Sequence, residues 1–331
     1  MNTLAMAEFF NDKTVLVTGG TGSFGEYLVR HLLKFSPRKI IVFSRDEWKQ
    51  HILRRDLSAF ADRLTFSIGD VRNFSTLLAA CRGVDIIYHA AAMKHVPICE
   101  ENPMEAVYTN VHGAFNLREA AIQNGVQKVI AISTDKAVRS VNVMGMTKAI
   151  QERILLFAHK TDKTLFTCVR FGNVVGSRGS VVPLFKDQID KKEPLTITES
   201  DMTRFLISLE DAMDLVFTAT TEGKGREIFV KKMPVARITD IAAVMSKALT
   251  GREEYPMKRI GSREGEQLYE ALVSEEEMHR AVERNDYFVI YPYGERVSGL
   301  RKKYNEYRTD LAGNFMDRNA IIRLLKKTGW I

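Results

Sequence analysis

The chain has 331 residues, of which 45% are hydrophobic and 27% charged, with three cysteines. That is enough apolar chain for one large or two modest domains with a substantial core, and it excludes a disordered protein. The net charge of +7 comes from basic residues dispersed among acidic ones, which excludes an aromatic-studded nucleic-acid stripe and suits a phosphate-bearing small ligand. Met1 to Phe10 carries Glu8 and has neither a basic start nor a long apolar run, so no signal peptide and no membrane insertion are expected. Cys81, Cys99 and Cys168 lack paired or metal-like spacing, which predicts buried, reduced thiols, a cytoplasmic location and no metal site.

In chain order, a strand-like run Thr14 to Thr18 enters Gly19-Gly20-Thr21-Gly22-Ser23-Phe24-Gly25 and then an amphipathic helix from Glu26 to Lys34. Strand, glycine turn and helix together form a dinucleotide fingerprint, in which the glycines let the backbone approach a pyrophosphate at a helix N-terminus. After the next strand, Lys39 to Phe43, come Ser44-Arg45-Asp46, where an adenosine ribose is read. Arg45 can pair with a 2′-phosphate, which favours NADP; Asp46 can accept from a free 2′-hydroxyl, which keeps NAD open. A third strand, Leu64 to Ile68, leads to Gly69-Asp70-Val71, an adenine contact or a simple turn.

Strand-like runs at Val84 to His89, Lys128 to Ile132 and Thr164 to Val169 then alternate with helical stretches at Phe74 to Cys81, Pro103 to Asn124 and Val143 to His159. This alternation predicts an α/β fold, a Rossmann-like doubly wound parallel sheet. Beyond Arg170 the pattern loosens through Gly172, Gly176, Gly179, Pro183 and Pro194 and rebuilds as helices at Leu209 to Thr221 and Thr239 to Leu249. The division expected is a cofactor-binding domain over 12–170, with later strands interleaved, and a smaller substrate-binding region with a C-terminal extension over 171–331. Tyr287 to Asn314, rich in Tyr, Gly, Arg and Lys without periodicity, is expected to be loop-rich.

Ser133-Thr134-Asp135-Lys136 and Met144-Gly145-Met146-Thr147-Lys148 place a carboxylate and two amines where a nicotinamide-dependent sugar enzyme needs them. In the short-chain dehydrogenase pattern Tyr-x-x-x-Lys, the tyrosine and lysine share one helical face and the lysine makes the tyrosine a base. Here the first position is Met144, whose thioether accepts no proton from an alcohol. Each position also has a plainer reading. Asp135 and Lys136 can be an ordinary strand-end ion pair, Lys94 a solvated loop cation, Arg204 a structural salt bridge, Glu266 a helix-start solvator and Met144 mere packing. His95 is assigned no chemistry.

Further motifs follow in one order: His-Ala-Ala-Ala-Met-Lys-His-Val-Pro at 89–97, Arg-Phe-Gly-Asn-Val at 170–174, Gly-Ser-Arg-Gly-Ser-Val-Val-Pro-Leu-Phe at 176–185, Pro-Leu-Thr-Ile-Thr at 194–198, Asp-Met-Thr-Arg-Phe at 201–205 and Gly-Glu-Gln at 265–267. With the glycine turn, Phe-Ser-Arg-Asp-Glu at 43–47 and the Ser-Thr-Asp-Lys-Ala segment at 133–137, they make the chain resemble an extended short-chain dehydrogenase/reductase. More narrowly, it resembles the bacterial UDP-N-acetylglucosamine 4,6-dehydratases of polysaccharide, flagellin-sugar and nonulosonic acid pathways, over about Asp12 to Leu272. Met144 is a departure that some members of that family share; Gln267 stands where relatives often carry lysine.

The resemblance implies NADP held by Gly19, Thr21, Gly22, Ser23, Phe24, Gly25, Ser44, Arg45, Asp46, Lys49, Asp70, Val71, Ala90, Ala91, Ala92, Lys94, Asn110 and Lys148. A nucleotide sugar would meet Lys94, Asn173, Ser180, Val181, Val182, Pro183, Thr196, Met202, Arg204 and Glu266. It also implies a homo-oligomer, a dimer or hexamer. In the expected reaction Lys136 is the base at C5 and Asp135 the acid at C6. Each needs a pKa moved toward neutrality, the lysine by neighbouring positive charge and the aspartate by burial. Thr134 would bond the C4 oxygen, Lys148 would hold the nicotinamide ribose, and the C4 proton would pass through Thr134 or water to Asp135. A nucleotide-sugar 4-epimerase or reductase shares the fold without needing the Asp135–Lys136 pair, and a non-enzymatic NADP sensor would need none of these residues.

Overall fold

The structure is a computed structural model that describes residues 3–157, 163–252, 254–295 and 305–331. The run Thr14–Thr18 (β1) is buried along its whole length, as expected for aliphatic and β-branched residues in a strand covered on both faces. It lies inside a nine-stranded sheet, third from one edge, paired in parallel with Lys39–Ser44 (β2) on one side and Ile86–His89 (β4) on the other. Leu64–Ile68 (β3) forms one edge beside β2. Lys128–Ile132 (β5), Leu165–Arg170 (β6) and Ile228–Lys231 continue the parallel order beyond β4. Two antiparallel strands, Tyr287–Ile290 and Ala281–Glu283, close the other edge.

The chain runs outward from β1 through β2 to β3 and then returns to β4 on the opposite flank of β1. That reversal opens a crevice at the carboxyl ends of β1 and β4, where doubly wound sheets bind ligands. Helices Ser23–Leu32 (following β1) and Val143–Leu156 (following β5) start at this end. Gly145 lets the second of these sit close, since a Cβ there would lie 2.3 Å from the Lys136 carbonyl oxygen.

A smaller region packs over the crevice around its own core of Phe185, Leu195, Ile241, Met245, Ile321 and Leu325. Its strands are short. Thr203–Ile207 pairs with Asn173–Val174 and Val235–Arg237, and Leu195–Ile197 pairs with Met257–Arg259.

Two local expectations are corrected. Pro103 to Asn124 is not one helix: Pro103–Ala106 gives way to a π-helical turn at Val107–His112 and then to a helix over Gly113–Gln123. Tyr287–Ile290, within a stretch expected to be loop-rich, is a strand of the main sheet; residues 296–304 of that stretch lie outside the described residues. The helix expected from Val143 to His159 is described as far as Leu156, and residues 158–162 lie outside the described residues. The N-terminal segment adds a helix, Thr3–Phe10, whose Phe10 is fully buried against Phe35 and Phe217.

Candidate active site

A cavity of about 950 Å³ runs along the crevice, and its walls gather most of the expected residues. At one end Gly19 has φ +67°, and a Cβ on it would lie 2.7 Å from the Ala91 nitrogen. A Cβ on Gly25 would lie 2.3 Å from the Gly19 carbonyl. These contacts let the turn fold tightly under the N-terminus of Ser23–Leu32, whose first amide groups have no side-chain cap. A pyrophosphate meets such a cradle through backbone N–H groups.

Arg45, 57% exposed at its side chain, lies on the wall beside Asp70, 3.6 Å away. Burial works to raise the Asp70 pKa, but the Arg72 guanidinium, with Arg45 behind it, holds it below the ordinary value. Asp46 caps the helix Glu47–Asp56 by accepting from the Lys49 amide at 2.9 Å and from Lys49 Nζ at 2.6 Å. Those bonds from Lys49 lower its pKa.

The opposite wall is built at the end of β5. Thr134 Oγ1 donates to Asp135 Oδ1 at 2.8 Å, and Lys136 Nζ donates to the same oxygen at 3.1 Å. Asp135 is wholly buried and its second oxygen has no partner. This is not the exposed ion pair of the plainer reading. Lys136 Nζ also reaches Glu270 Oε1 at 3.0 Å and Asn173 Oδ1 at 3.4 Å. Arg204 closes the group, with Nε 3.5 Å from Glu270 and Nη2 3.7 Å from Glu266.

The expectation for Lys136 is corrected in sign. Burial lowers its pKa, but Asp135 and Glu270 outweigh both burial and the positive charge of Arg204, so the pKa is raised. Burial is also the foremost influence on Glu270 and pushes its pKa up. Two carboxylates therefore hold one ammonium between them.

On Val143–Leu156, Asn142 caps the helix by accepting from the Gly145 amide at 2.7 Å. Met144 is buried with Cys99 and Ala106 and lines the cavity. Lys148 Nζ donates to the Ile132 carbonyl at 2.6 Å and to Gln151 Oε1 at 2.9 Å. Burial brings its pKa down to about 8. Nearby His89 is buried, with Nδ1 2.8 Å from Thr18 Oγ1; burial, with Lys148 close by, lowers its pKa to about 3, so it is neutral.

Three expected residues do not line the cavity: Asp135, Asn110 and Pro183. Asn110 bonds the Met93 amide (2.8 Å), the Met93 carbonyl (3.0 Å) and Thr147 Oγ1 (3.0 Å), so it ties the turn after β4 to the helix that bears Lys148. Arg204 reaches the wall with its guanidinium committed to Thr203 O, Glu270 and Glu266, which makes it a counter-charge of the cluster. Lys94 Nζ donates to the Arg178 carbonyl at 3.0 Å. His95 packs over Gly179, where a Cβ would lie 2.1 Å from its ring. Ser180 Oγ is buried without a partner at the start of the helix Val181–Asp190.

Sequence reasoning missed Glu270, Gln151 and Glu152. The last two were within reach, since they stand three and four positions after Lys148 on the same helical face. Glu152 accepts from Ser133 Oγ and grips Arg170, which in turn binds Glu277. This buried network fixes Ser133, β6 and the helix Val143–Leu156 to one another.

Fold and site together define an extended short-chain dehydrogenase/reductase that modifies nucleotide sugars. The family described as polysaccharide biosynthesis protein matches residues 15–292, and the chain belongs to it. It is 44% identical over 321 residues to a UDP-glucose 4-epimerase of Rickettsia bellii, covering 91% of this chain and 92% of that protein. It is 45% identical over 334 residues to a Methanocaldococcus jannaschii protein described as an uncharacterized membrane protein, covering 98% and 99%. No described helix of the present chain is long and apolar enough to cross a membrane. Among solved structures, Pen from Bacillus thuringiensis matches with a TM-score of 0.92 at 37% identity over 98% of this chain and 99% of its own. A dTDP-glucose 4,6-dehydratase from Streptomyces venezuelae, solved with NAD, shares the fold at a TM-score of 0.70 and 24% identity, covering 77% and 86%.

Proposed function

We propose that the protein is an NADP-dependent nucleotide-sugar 4,6-dehydratase that converts UDP-N-acetylglucosamine, or a GDP-linked analogue, to a 4-keto-6-deoxy sugar. One observation carries this: Lys136, held between two carboxylates, sits on the cavity wall beside Thr134. Removing water across C5 and C6 needs a group that takes a carbon-bound proton and one that gives a proton to oxygen. A 4-epimerase needs neither at those carbons, although the Rickettsia relatives keep that second reading in play. A sensor would need no such cluster at all.

The nicotinamide, when bound, supplies a hydride acceptor at C4 and gives the hydride back at C6. This chain's residues supply the rest. Thr134 accepts the C4 hydroxyl proton while passing its own to Asp135 along their 2.8 Å bond, which replaces the missing tyrosine. Lys148 places positive charge beside the oxidising carbon, and its third N–H is available to the nicotinamide ribose. The ketone acidifies the C5 hydrogen, and Lys136, as the free amine, takes it. Met144 shapes the wall.

Arg45 supports NADP over NAD, because Asp46 is already engaged by Lys49 and is a poor acceptor for a free 2′-hydroxyl. The diphosphate of the substrate fits the N-terminus of Val181–Asp190 at Ser180, with Lys94 nearby, while Thr196, Met202 and Glu266 line the nucleoside end. On this reading 12–170, with later strands interleaved, mainly holds the cofactor, and 171–331 mainly the substrate. Exposed Tyr108, Phe115, Met146 and Ile150 on the helices of the first region offer an apolar face to a second copy, as a homo-oligomer requires. The three buried free thiols suit a reducing cytoplasm.

Incubating the purified protein with UDP-N-acetylglucosamine in deuterium oxide and following the sugar by NMR tests the reading. A 4-keto-6-deoxy product carrying deuterium at C5, with no net consumption of cofactor, is expected. An epimer at C4, or unchanged sugar with both UDP- and GDP-linked substrates in protein that holds cofactor, would sink it.

A further inference from the structure

On the dehydratase reading, a proton must reach the departing C6 hydroxyl, and Asp135 is poorly placed to give it. Asp135 has no exposed surface and does not line the cavity. Glu270 does line it. Its carboxyl is buried and lies 3.0 Å from Lys136 Nζ, and its backbone is anchored by donation of the Glu270 amide to Thr309 Oγ1 at 3.1 Å. We infer that Glu270 is the acid of the elimination: a proton passes from Lys136 to Glu270 across their hydrogen bond, freeing the amine for C5 and arming the carboxyl for C6.

The step balances. Before elimination, ammonium and carboxylate become amine and carboxylic acid. The amine then takes the C5 proton as the C5–H electron pair moves into the forming C5–C6 double bond. The C6–O bond breaks with its electrons on oxygen, which takes the Glu270 proton and leaves as water. Lys136 is again an ammonium and Glu270 a carboxylate. When C5 is reprotonated from Lys136, the proton that Asp135 received from the C4 hydroxyl crosses the 3.1 Å bond to Lys136 and resets both. Protons thus enter at Asp135, cross Lys136 and leave at Glu270. Burial, the main influence on the Glu270 carboxyl, favours its protonated form, while the raised Lys136 pKa opposes the transfer, so the neutral pair forms only in passing and is drawn forward by the C5 step.

The charges around the cluster fit this traffic. Arg204 faces Glu270, Glu266 faces Arg204, and Lys94 adds positive charge near Lys136. Lys136 is the cation bonded to Asp135, at 3.1 Å.

The test uses full-length enzyme loaded with NADP, one turnover of UDP-N-acetylglucosamine in deuterium oxide, and the variants Glu270→Gln and Glu270→Asp. Glu270→Gln should oxidise C4 within about threefold of the wild-type rate and hold reduced nicotinamide, while 6-deoxy product falls by roughly 10²-fold. Glu270→Asp, which keeps an acid, should recover at least about tenfold of that loss. Dehydration by Glu270→Gln at near the wild-type rate overturns the inference, and so does loss of C4 oxidation in step with dehydration.

A wild type that makes no 6-deoxy product is a failure of the dehydratase reading instead, and the proton link between Lys136 and Glu270 is then decided separately. Titration of carbon-13-methylated lysine amines by NMR, assigned through Lys136→Arg, should show the Lys136 pKa falling by about one pH unit in Glu270→Gln. An unmoved Lys136 overturns the link.

Discussion

The Thr134 hydroxyl donates to Asp135 Oδ1 at 2.8 Å, so a carboxylate with no surface of its own reaches the cavity through that hydroxyl and through Lys136 Nζ on the same oxygen. If this pair takes the C4 proton, Thr134→Val should slow C4 oxidation by about 10²-fold, and Thr134→Ser should stay within about tenfold of wild type. Single-turnover absorbance of the reduced nicotinamide reports that step alone. Equal rates in the valine and serine variants would mean that the proton leaves by another route.

Lys136→Ala should abolish solvent deuterium entry at C5 and lower turnover by about 10²-fold or more, with cofactor affinity unchanged. Calorimetric titration of NADP in the variant separates a lost base from a lost fold. Near-normal product formation would remove Lys136 from the chemistry.

Lys148 carries the positive charge beside the reacting carbon only below about pH 8, the value to which burial brings it. The rate of C4 oxidation by the free enzyme should therefore fall as pH rises through about 8, approaching tenfold per pH unit. Lys148→Ala should lose both the rate and this limb. Met144→Ala, by contrast, should cost roughly 2–5 kcal/mol of stability through its cavity and leave the limb in place. A pH profile unchanged in Lys148→Ala would place the titrating group elsewhere.

NADP should bind more tightly than NAD, and Arg45→Ala should narrow the gap by about 1.5–3 kcal/mol, the worth of a charged hydrogen bond to phosphate. Titration of both cofactors measures it. Equal affinities in the wild type would assign the choice to the backbone or to Asp46.

Glu277 tests the buried network. Burial opposes its charge, yet the Arg170 guanidinium holds its pKa down from 4.5 to about 2. A carboxyl depressed by folding adds stability above its unfolded value and loses it as pH falls toward the folded one, here between about 4.5 and about 2. The full effect is roughly 3 kcal/mol. Glu277→Gln should flatten that part of the curve of unfolding free energy against pH, and a curve that keeps its acid slope would show that other carboxylates carry it.

Much of this is legible in the chain. Thr14 to Thr18 reads as a central strand because a fully covered parallel strand is aliphatic on both faces, and Gly19 to Gly25 reads as a cradle because only glycine tolerates those contacts. Tyr287–Ile290 does not read as a strand, because four residues amid Tyr, Gly and Arg show no period; pairing with Ile228–Lys231 makes them one. Thr134, Asp135 and Lys136 stand out because they are adjacent in sequence. Glu270 does not, because its approach to Lys136 comes from the distant strand Ala271–Val273 packing against the Asp135–Ala137 turn, a relation that no local spacing records. The direction of the Lys136 shift escapes the sequence for the same reason, since the second carboxylate is out of sight.

Asn110 meets residue 93 only through main-chain atoms, donating to its carbonyl and accepting from its amide. The two ends of that clasp therefore tolerate change very differently. In a mutational scan, position 93 can exchange one apolar side chain for another and keep both bonds. Position 110 must offer a donor and an acceptor at once from a short, buried stem, which aspartate, leucine and alanine do not. Intolerance at Asn110 would thus report the joining of the turn to the helix that bears Lys148.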